Sequence, residues 1–139
     1  MSRNRLLDGL AALGGIGIIL IGTRFLLDPD GAASGFGIPS WPHGEAAGYL
    51  DVKGLRDIVS GLVILALLAT GQRRALGWAL IIEAVTPTGD MLIVLSHGGT
   101  AAAAFGIHGA TAAAVATLGV LTLRGTREAH THAVAAANP

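Results

Sequence analysis

The chain has 139 residues, with 9 Lys and Arg against 9 Asp and Glu and no cysteine. Hydrophobic residues reach 52% and charged residues only 13%, against roughly 25% charged in ordinary soluble domains, and mean hydropathy is +0.63. This balance points to a membrane protein, argues against a nucleic-acid binder because no basic excess faces phosphates, and rules out disulfides, thiolate metal sites and cysteine nucleophiles.

Four apolar segments follow one another. They run from about Leu6 to Leu27, Tyr49 to Thr70, Ala75 to Ser96 and Thr100 to Leu123. At about 21 to 24 residues and roughly 1.5 Å per residue, each can cross a 30 Å hydrocarbon core as a helix. The expected fold is therefore all-α. It is an integral membrane four-helix bundle over residues 1–127, with a flexible polar tail over 128–139. The first connection, Asp28 to Gly48, is long and rich in Gly and Pro and carries Trp41. The second and third, Gly71-Gln72-Arg73-Arg74 and Ser96-His97-Gly98-Gly99, are short.

Arg3, Arg5, Arg73, Arg74, Arg124 and Arg127 all fall at one end of a four-span bundle, and the opposite connections hold no Lys or Arg. The positive-inside rule then puts both termini in the cytoplasm, with a bacterial cytoplasmic membrane as the expected location. The first segment has some features of a secretory signal, with Ala32-Ala33-Ser34 resembling a cleavage site. Removing it would split the arginine clusters between both faces, and Asp8 lies within it.

The remaining charges fall where lipid should be. In the second span the uncharged run Ile58 to Thr70 covers roughly 20 Å, too short to cross, so part of Asp51-Val52-Lys53-Gly54-Leu55-Arg56-Asp57 lies at membrane depth. In the third span Glu83 and Asp90 leave no uncharged stretch long enough to cross. A charge at a helix centre costs about 2.5–3.5 kcal/mol on insertion scales and needs a partner, a proton or a wet cavity. Counting along the helices puts Arg24, Arg56, Asp57, Asp90 and His108 within about 5 to 12 Å of the outer surface, with Glu83 nearer the midplane. Lys53 and Asp57 share a face, and Glu83 and Asp90 lie nearly in line on theirs. Pro87 between the latter two should kink the helix. Three cations (Arg24, Lys53, Arg56) against four carboxylates (Asp51, Asp57, Glu83, Asp90) read as a nearly cancelling network. A carboxyl left unmatched in such a place keeps its proton, and His108 adds a second titrating group.

Plainer roles compete for some of these residues. Arg24, Asp51 and Lys53 are close enough to the interface to snorkel, and Arg56 with Asp57 suits structural pairing across helices. Asp8 reads as a solvated cap and Trp41 and Trp78 as interfacial anchors. His130 and His132 read as solvated tail residues. Gly14-Gly15-Ile16-Gly17 lies inside a span and reads as packing. His108, Glu83 and Asp90 have the donor types for a metal, but their cationic neighbours argue against one, and neither a metal nor another cofactor is expected.

Several stretches have a familiar look. Gly22-Thr23-Arg24-Phe25-Leu26-Leu27-Asp28-Pro29, Phe36-Gly37-Ile38-Pro39 and Lys53-Gly54-Leu55-Arg56-Asp57-Ile58 with Gly61, followed by Asp90 and His108, resemble the small four-span proteins grouped as domain of unknown function 4267. These are similar to the wider DoxX-like membrane proteins. The resemblance runs from about Leu6 to Leu123 and implies a four-helix membrane bundle with no settled activity. The quinone-linked chemistry of DoxX is a distant analogy.

The leading functional expectation is a membrane-embedded acid–base enzyme acting on a lipophilic small molecule by isomerisation, cyclisation or epoxide opening. Asp90 or Asp57 would be the base, Glu83 or His108 the proton donor, and Arg56 and Arg24 would orient carboxylates or stabilise an oxyanion. Lys53, Tyr49 and Trp41 would help to bind or orient the substrate, with the 28–48 connection as a lid. The alternatives are a proton-coupled transporter or binding protein, and an accessory subunit whose charges only lock helix packing. The small bundle has little internal room, so a homo-oligomer is expected.

Overall fold

The computed structural model describes residues 3–137, with side chains described through residue 126. Among the described residues the regular structure is entirely helical. Helix α1 (Arg3–Leu27) is followed by a short α2 (Pro29–Ser34), a single 3₁₀ turn (Gly44–Ala47) and α3 (Gly48–Ala69). Then come α4 (Arg73–Glu83), α5 (Val85–Ser96), a short α6 (Ala101–Ala103), a π-helical segment (Ala104–Gly109) and α7 (Ala110–Ala137). Arg127, His130 and His132 lie outside the described side chains, and the backbone of α7 continues into the segment expected as a tail.

Three stretches are long and apolar enough to cross a membrane: Arg3–Leu27, Arg73–Ser96 and Ala101–Thr126. Their outer faces are bare. Leu13, Leu20, Ile82 and Val85 are each 64–68% exposed, which in water would leave large apolar patches uncovered. These features mark the chain as a membrane protein. Helix α3 has the length, at 22 residues, but Asp51, Lys53, Arg56 and Asp57 crowd its first half.

The helices associate as two pairs: α1 lies along α3, and α4–α5 lies along α7. Glycine sets the first contact. A Cβ at Gly22 would collide with the Gly54 carbonyl and come within 2.9 Å of Asp57 Cβ, and Gly15 and Gly61 abut in the same way one heptad along. Small residues of this kind let two backbones approach closely. Gly77 and Gly119 do the same between α4 and α7. A core of Ala11, Ile64, Leu76 and Leu80, with Leu67, Leu68, Val115 and Leu118 against it, joins the two pairs.

The short connections are built by their glycines. Gly71 (φ 68°) and Gly98 (φ 76°) are left-handed. The N–H groups of Gln72 and Gly99 reach back to the carbonyls of Leu67 and Val94, at 2.9 and 2.8 Å. This is the Schellman arrangement, which satisfies the last carbonyls of α3 and α5. At the same end as the α3–α4 turn, Arg73 pairs with Asp8 of α1. Asp8 is thus a strut between helices, and the expectation of a solvated cap is corrected. The arginine-bearing ends of α1, α4 and α7 meet here: Gly125 lies beside Asn4 and Arg3.

The helix is interrupted where a kink was expected. The helix breaks at Ala84, so Glu83 ends α4 and Asp90 belongs to α5. Pro87 has no N–H for the Glu83 carbonyl, and its ring crowds that oxygen. The Thr88 side-chain hydroxyl, at 2.8 Å, and its backbone N–H both bond the Ala84 carbonyl and re-seat the chain.

Candidate functional site

Asp57 is 6% exposed, among the most buried polar residues of the described chain. Gly22 of α1 makes room for it. Its partner is Lys53, one turn earlier on the same helix, whose Nζ donates to Oδ2 at 2.6 Å. Lys53 does not snorkel. Its ammonium lies 4.5 Å from the centre of the Phe25 ring and 5.3 Å from that of Phe36. Both rings turn their electron-rich faces toward the charge. The shared face of Lys53 and Asp57 expected from sequence thus becomes an ion pair, and Asp57 pairs along its own helix where pairing across helices was expected.

His108 is the second buried group, 7% exposed. It lies in the π-helical segment, where one extra residue per turn widens the helix and re-aims the side chain; such segments concentrate at functional sites. Its Nε2 is 2.7 Å from the carbonyl oxygen of Phe36. A carbonyl only accepts, so Nε2 carries a proton. The other ring nitrogen, Nδ1, faces Asp90 Oδ2 at 3.9 Å, within ion-pairing reach and beyond a hydrogen bond. Phe36 also lies tilted against His108 at 4.6 Å between ring centres and meets Phe25 edge-on at 6.5 Å. This single loop residue therefore touches both the Lys53–Asp57 pair and the His108–Asp90 pair.

These groups open onto a cleft of about 940 Å³ between α3 and α4–α5. Its walls hold Tyr49, Lys53, Arg56, Asp57 and Ser60 on one side, and Glu83, Thr86 and Asp90 on the other, with Phe36 at one end. Of the residues singled out from sequence, Lys53, Arg56, Asp57, Glu83, Asp90 and Tyr49 line this one cleft, and His108 backs it through Asp90. Three do not reach it, and the first, Asp51, is exposed outside its lining. Arg24 is exposed and donates to the Gly31 carbonyl at 3.1 Å, closing the α1–α2 corner. Trp41 donates to Asp30 at 2.9 Å and tilts against His43. The orienting roles expected of Arg24 and Trp41 are corrected to loop architecture. The 28–48 connection is no free lid either, because Phe36 pins it to the bundle and Gly37, with φ 104°, lies against Ala103 and Val94. Among the described residues no group of three His, Asp or Glu side chains gathers closely enough to hold a metal ion.

Phe36, which touches both buried pairs, is the candidate site residue that sequence reasoning did not single out. An aromatic followed at once by glycine, in a loop otherwise poor in large side chains, was its available signal. Ser60 and Thr86 give no signal in sequence; only the facing of α3 and α5 makes them polar wall.

A family model described as "Domain of unknown function (DUF4267)" matches residues 15–122. The chain belongs to this family. The matched region holds every residue of the cleft and both buried pairs. No curated protein and no solved structure matches the chain, so the chemistry of this family member has to be argued from the site.

Proposed function

We propose that this DUF4267 protein is a membrane-embedded acid–base enzyme that isomerises, cyclises or opens an epoxide in a lipophilic small molecule. The observation that carries the reading is the His108–Asp90 relay. The Phe36 carbonyl holds the Nε2 proton, so the remaining nitrogen can exchange a proton only on the side of Asp90. Asp90 lines the cleft and is the group that meets substrate. In an isomerisation, Asp90 takes a proton from carbon and passes it to His108 Nδ1 through a water bridging the 3.9 Å between them, where it exchanges with solvent, and a proton returns by the same route to a neighbouring carbon. Atoms and charge balance without a redox partner. Lys53, already charged and fixed, faces any oxygen that becomes negative during the transfer, and Asp57 keeps that ammonium in place.

The membrane arrangement that suits this chemistry has α3 as a fourth span, its charges turned to the cleft and its Val, Leu and Ile side chains to lipid. The arginine-rich ends then lie in the cytoplasm and the cleft in the opposite half of the bilayer. Closing such a site away from water strengthens each electrostatic contact within it.

The test is isotopic. Protein in lipid nanodiscs is incubated in heavy water with a total lipid extract of the organism that encodes it, and the extract is profiled by mass spectrometry. We expect one or a few components to gain deuterium or change retention. Asp90→Asn and His108→Gln should abolish the change in protein that remains monodisperse and helical. A profile identical with and without wild-type protein, or an Asp90→Asn variant as active as wild type, overturns the reading. A pH-gradient-driven flux of an unmodified compound would assign the relay to transport instead.

A further inference from the structure

We infer that the cleft binds an amphiphile with a zwitterionic head group, a phospholipid bearing a phosphate next to an ammonium, entering sideways between α3 and α5. This rests on the cleft reading above and names the chemical class the site would take, but it does not depend on proton transfer.

The inference starts from an imbalance in partners. Lys53 and Asp57 satisfy each other, and Asp90 has His108. Arg56 and Glu83 line the same cleft on opposite walls, and neither side chain makes a hydrogen bond or an ion pair among the described residues. Helical rise places Arg56 about 20 Å from the α3–α4 end of its helix and Glu83 about 15 Å from that end, so they lie within about one turn of the same level. The cleft thus presents one unmatched cation and one unmatched anion, side by side at membrane depth. Leaving both bare in lipid is unfavourable. A single anionic head would satisfy Arg56 and repel Glu83, and a neutral head would neutralise neither. A head that carries both signs satisfies both.

The surroundings fit the rest of such a molecule. Leu55 and Val59 flank Arg56 on α3, and Ile82 precedes Glu83 on α4. All are at least half exposed beside the cleft and offer apolar surface to acyl chains. Tyr49, 77% exposed at the cleft's end, has the amphipathic ring found at head-group level. Because α3 and α5 face one another without packing together, a molecule already in the bilayer can enter without leaving it.

The experiment uses the full chain in detergent. It is equilibrated with equal amounts of phosphatidylethanolamine, phosphatidylglycerol and diacylglycerol of one acyl composition, and bound lipid is read by native mass spectrometry. Wild type should retain phosphatidylethanolamine about tenfold over the other two, in the range expected for paired, partly desolvated charges. Arg56→Gln should lose most of that retention and Arg56→Lys should keep it. Glu83→Gln should shift the preference toward phosphatidylglycerol. The swapped variant Arg56→Glu with Glu83→Arg should restore the zwitterion, bound in the reverse sense. Equal retention of all three lipids, or a cleft closed by a second copy of the chain whose dimerisation depends on Arg56 and Glu83, overturns the inference. Both claims are read on wild type by different measurements: lipid retention needs no turnover, and deuterium exchange needs no preference among head groups, so either claim can fail while the other stands.

Discussion

His108 Nε2 lies 2.7 Å from the carbonyl oxygen of Phe36, a residue 72 positions earlier in the chain. One contact between a loop and a widened helical turn therefore decides which imidazole nitrogen is free for chemistry. Nitrogen NMR of protein with labelled histidine checks this directly. His108 should appear with Nε2 protonated at every pH at which the protein stays folded, whether or not Nδ1 also carries a proton. A neutral His108 protonated only at Nδ1 would remove the basis of the relay.

Lys53 and Asp57 make the second prediction. Their side chains are 27% and 9% exposed, so removing one strands the other in a poorly solvating place. Asp57→Asn and Lys53→Met should each destabilise the protein by about 3 kcal/mol. The double variant Lys53→Met with Asp57→Asn should cost less than the sum, because it leaves no orphan charge. Unfolding in mixed micelles, arranged as a double-mutant cycle, measures the coupling. Strict additivity would show that the two charges do not depend on one another.

The α1–α3 contact gives the third. A Cβ at Gly54 would run into the Gly22 carbonyl and come within 3.0 Å of Phe25 Cβ, whereas a Cβ at Gly14 meets nothing within 4 Å. Gly54→Leu should destabilise by about 1–3 kcal/mol through overpacking and should disturb Asp57, which packs beside Gly22. Gly14→Leu should be close to neutral. Equal stability of the two variants would mean that α1 and α3 do not meet through their glycines.

Transmembrane arrangement is a separate matter, and the chain lends itself to testing it because it contains no cysteine. Single cysteines at Ser40, Gln72 and His97, all exposed, can be probed with a membrane-impermeant thiol reagent in sealed vesicles. With α3 as a span, Ser40 and His97 should label from one side and Gln72 from the other. Labelling of Ser40 and Gln72 from the same side would place α3 along the surface of the membrane.

Much of this was legible in the sequence, for definite reasons. Apolar run length located the long helices, and the charges that interrupt the runs located the cleft, because lipid tolerates such charges only in company. Pro87 announced the break between Glu83 and Asp90. Pairing was less legible. Lys53 satisfies Asp57 along its own helix, and the aromatic shelter that permits this comes from Phe25 and Phe36, one of them in a loop whose path no periodicity reports. Arg24 illustrates the opposite error: it was grouped with the cleft, but the Gly31 carbonyl takes its side chain. Asp8 looked terminal and solvated because its partner, Arg73, is 65 residues away in the chain. The π segment left no trace in composition, since the run around His108 reads as ordinary helix with small residues.

That segment supplies the last prediction. Ala104 and His108 are its two buried residues, and the 36–37 corner of the loop touches both ends of it, with Gly37 against Ala103 and the Phe36 carbonyl on His108. Deleting Gly106 removes the extra residue and should restore a regular helix. The two ends of the segment then rotate by about 100° relative to one another. Thr100 caps the start of this helix, and Gly119 locks α7 against α4, so neither end can turn freely. The loop can keep Ala103 or His108, but not both. Circular dichroism should show helix content unchanged, while the Nε2-protonated signature of His108 and the deuterium exchange assigned to Asp90 are lost together. Retention of both after the deletion would mean that His108 does not owe its aim to the widened turn.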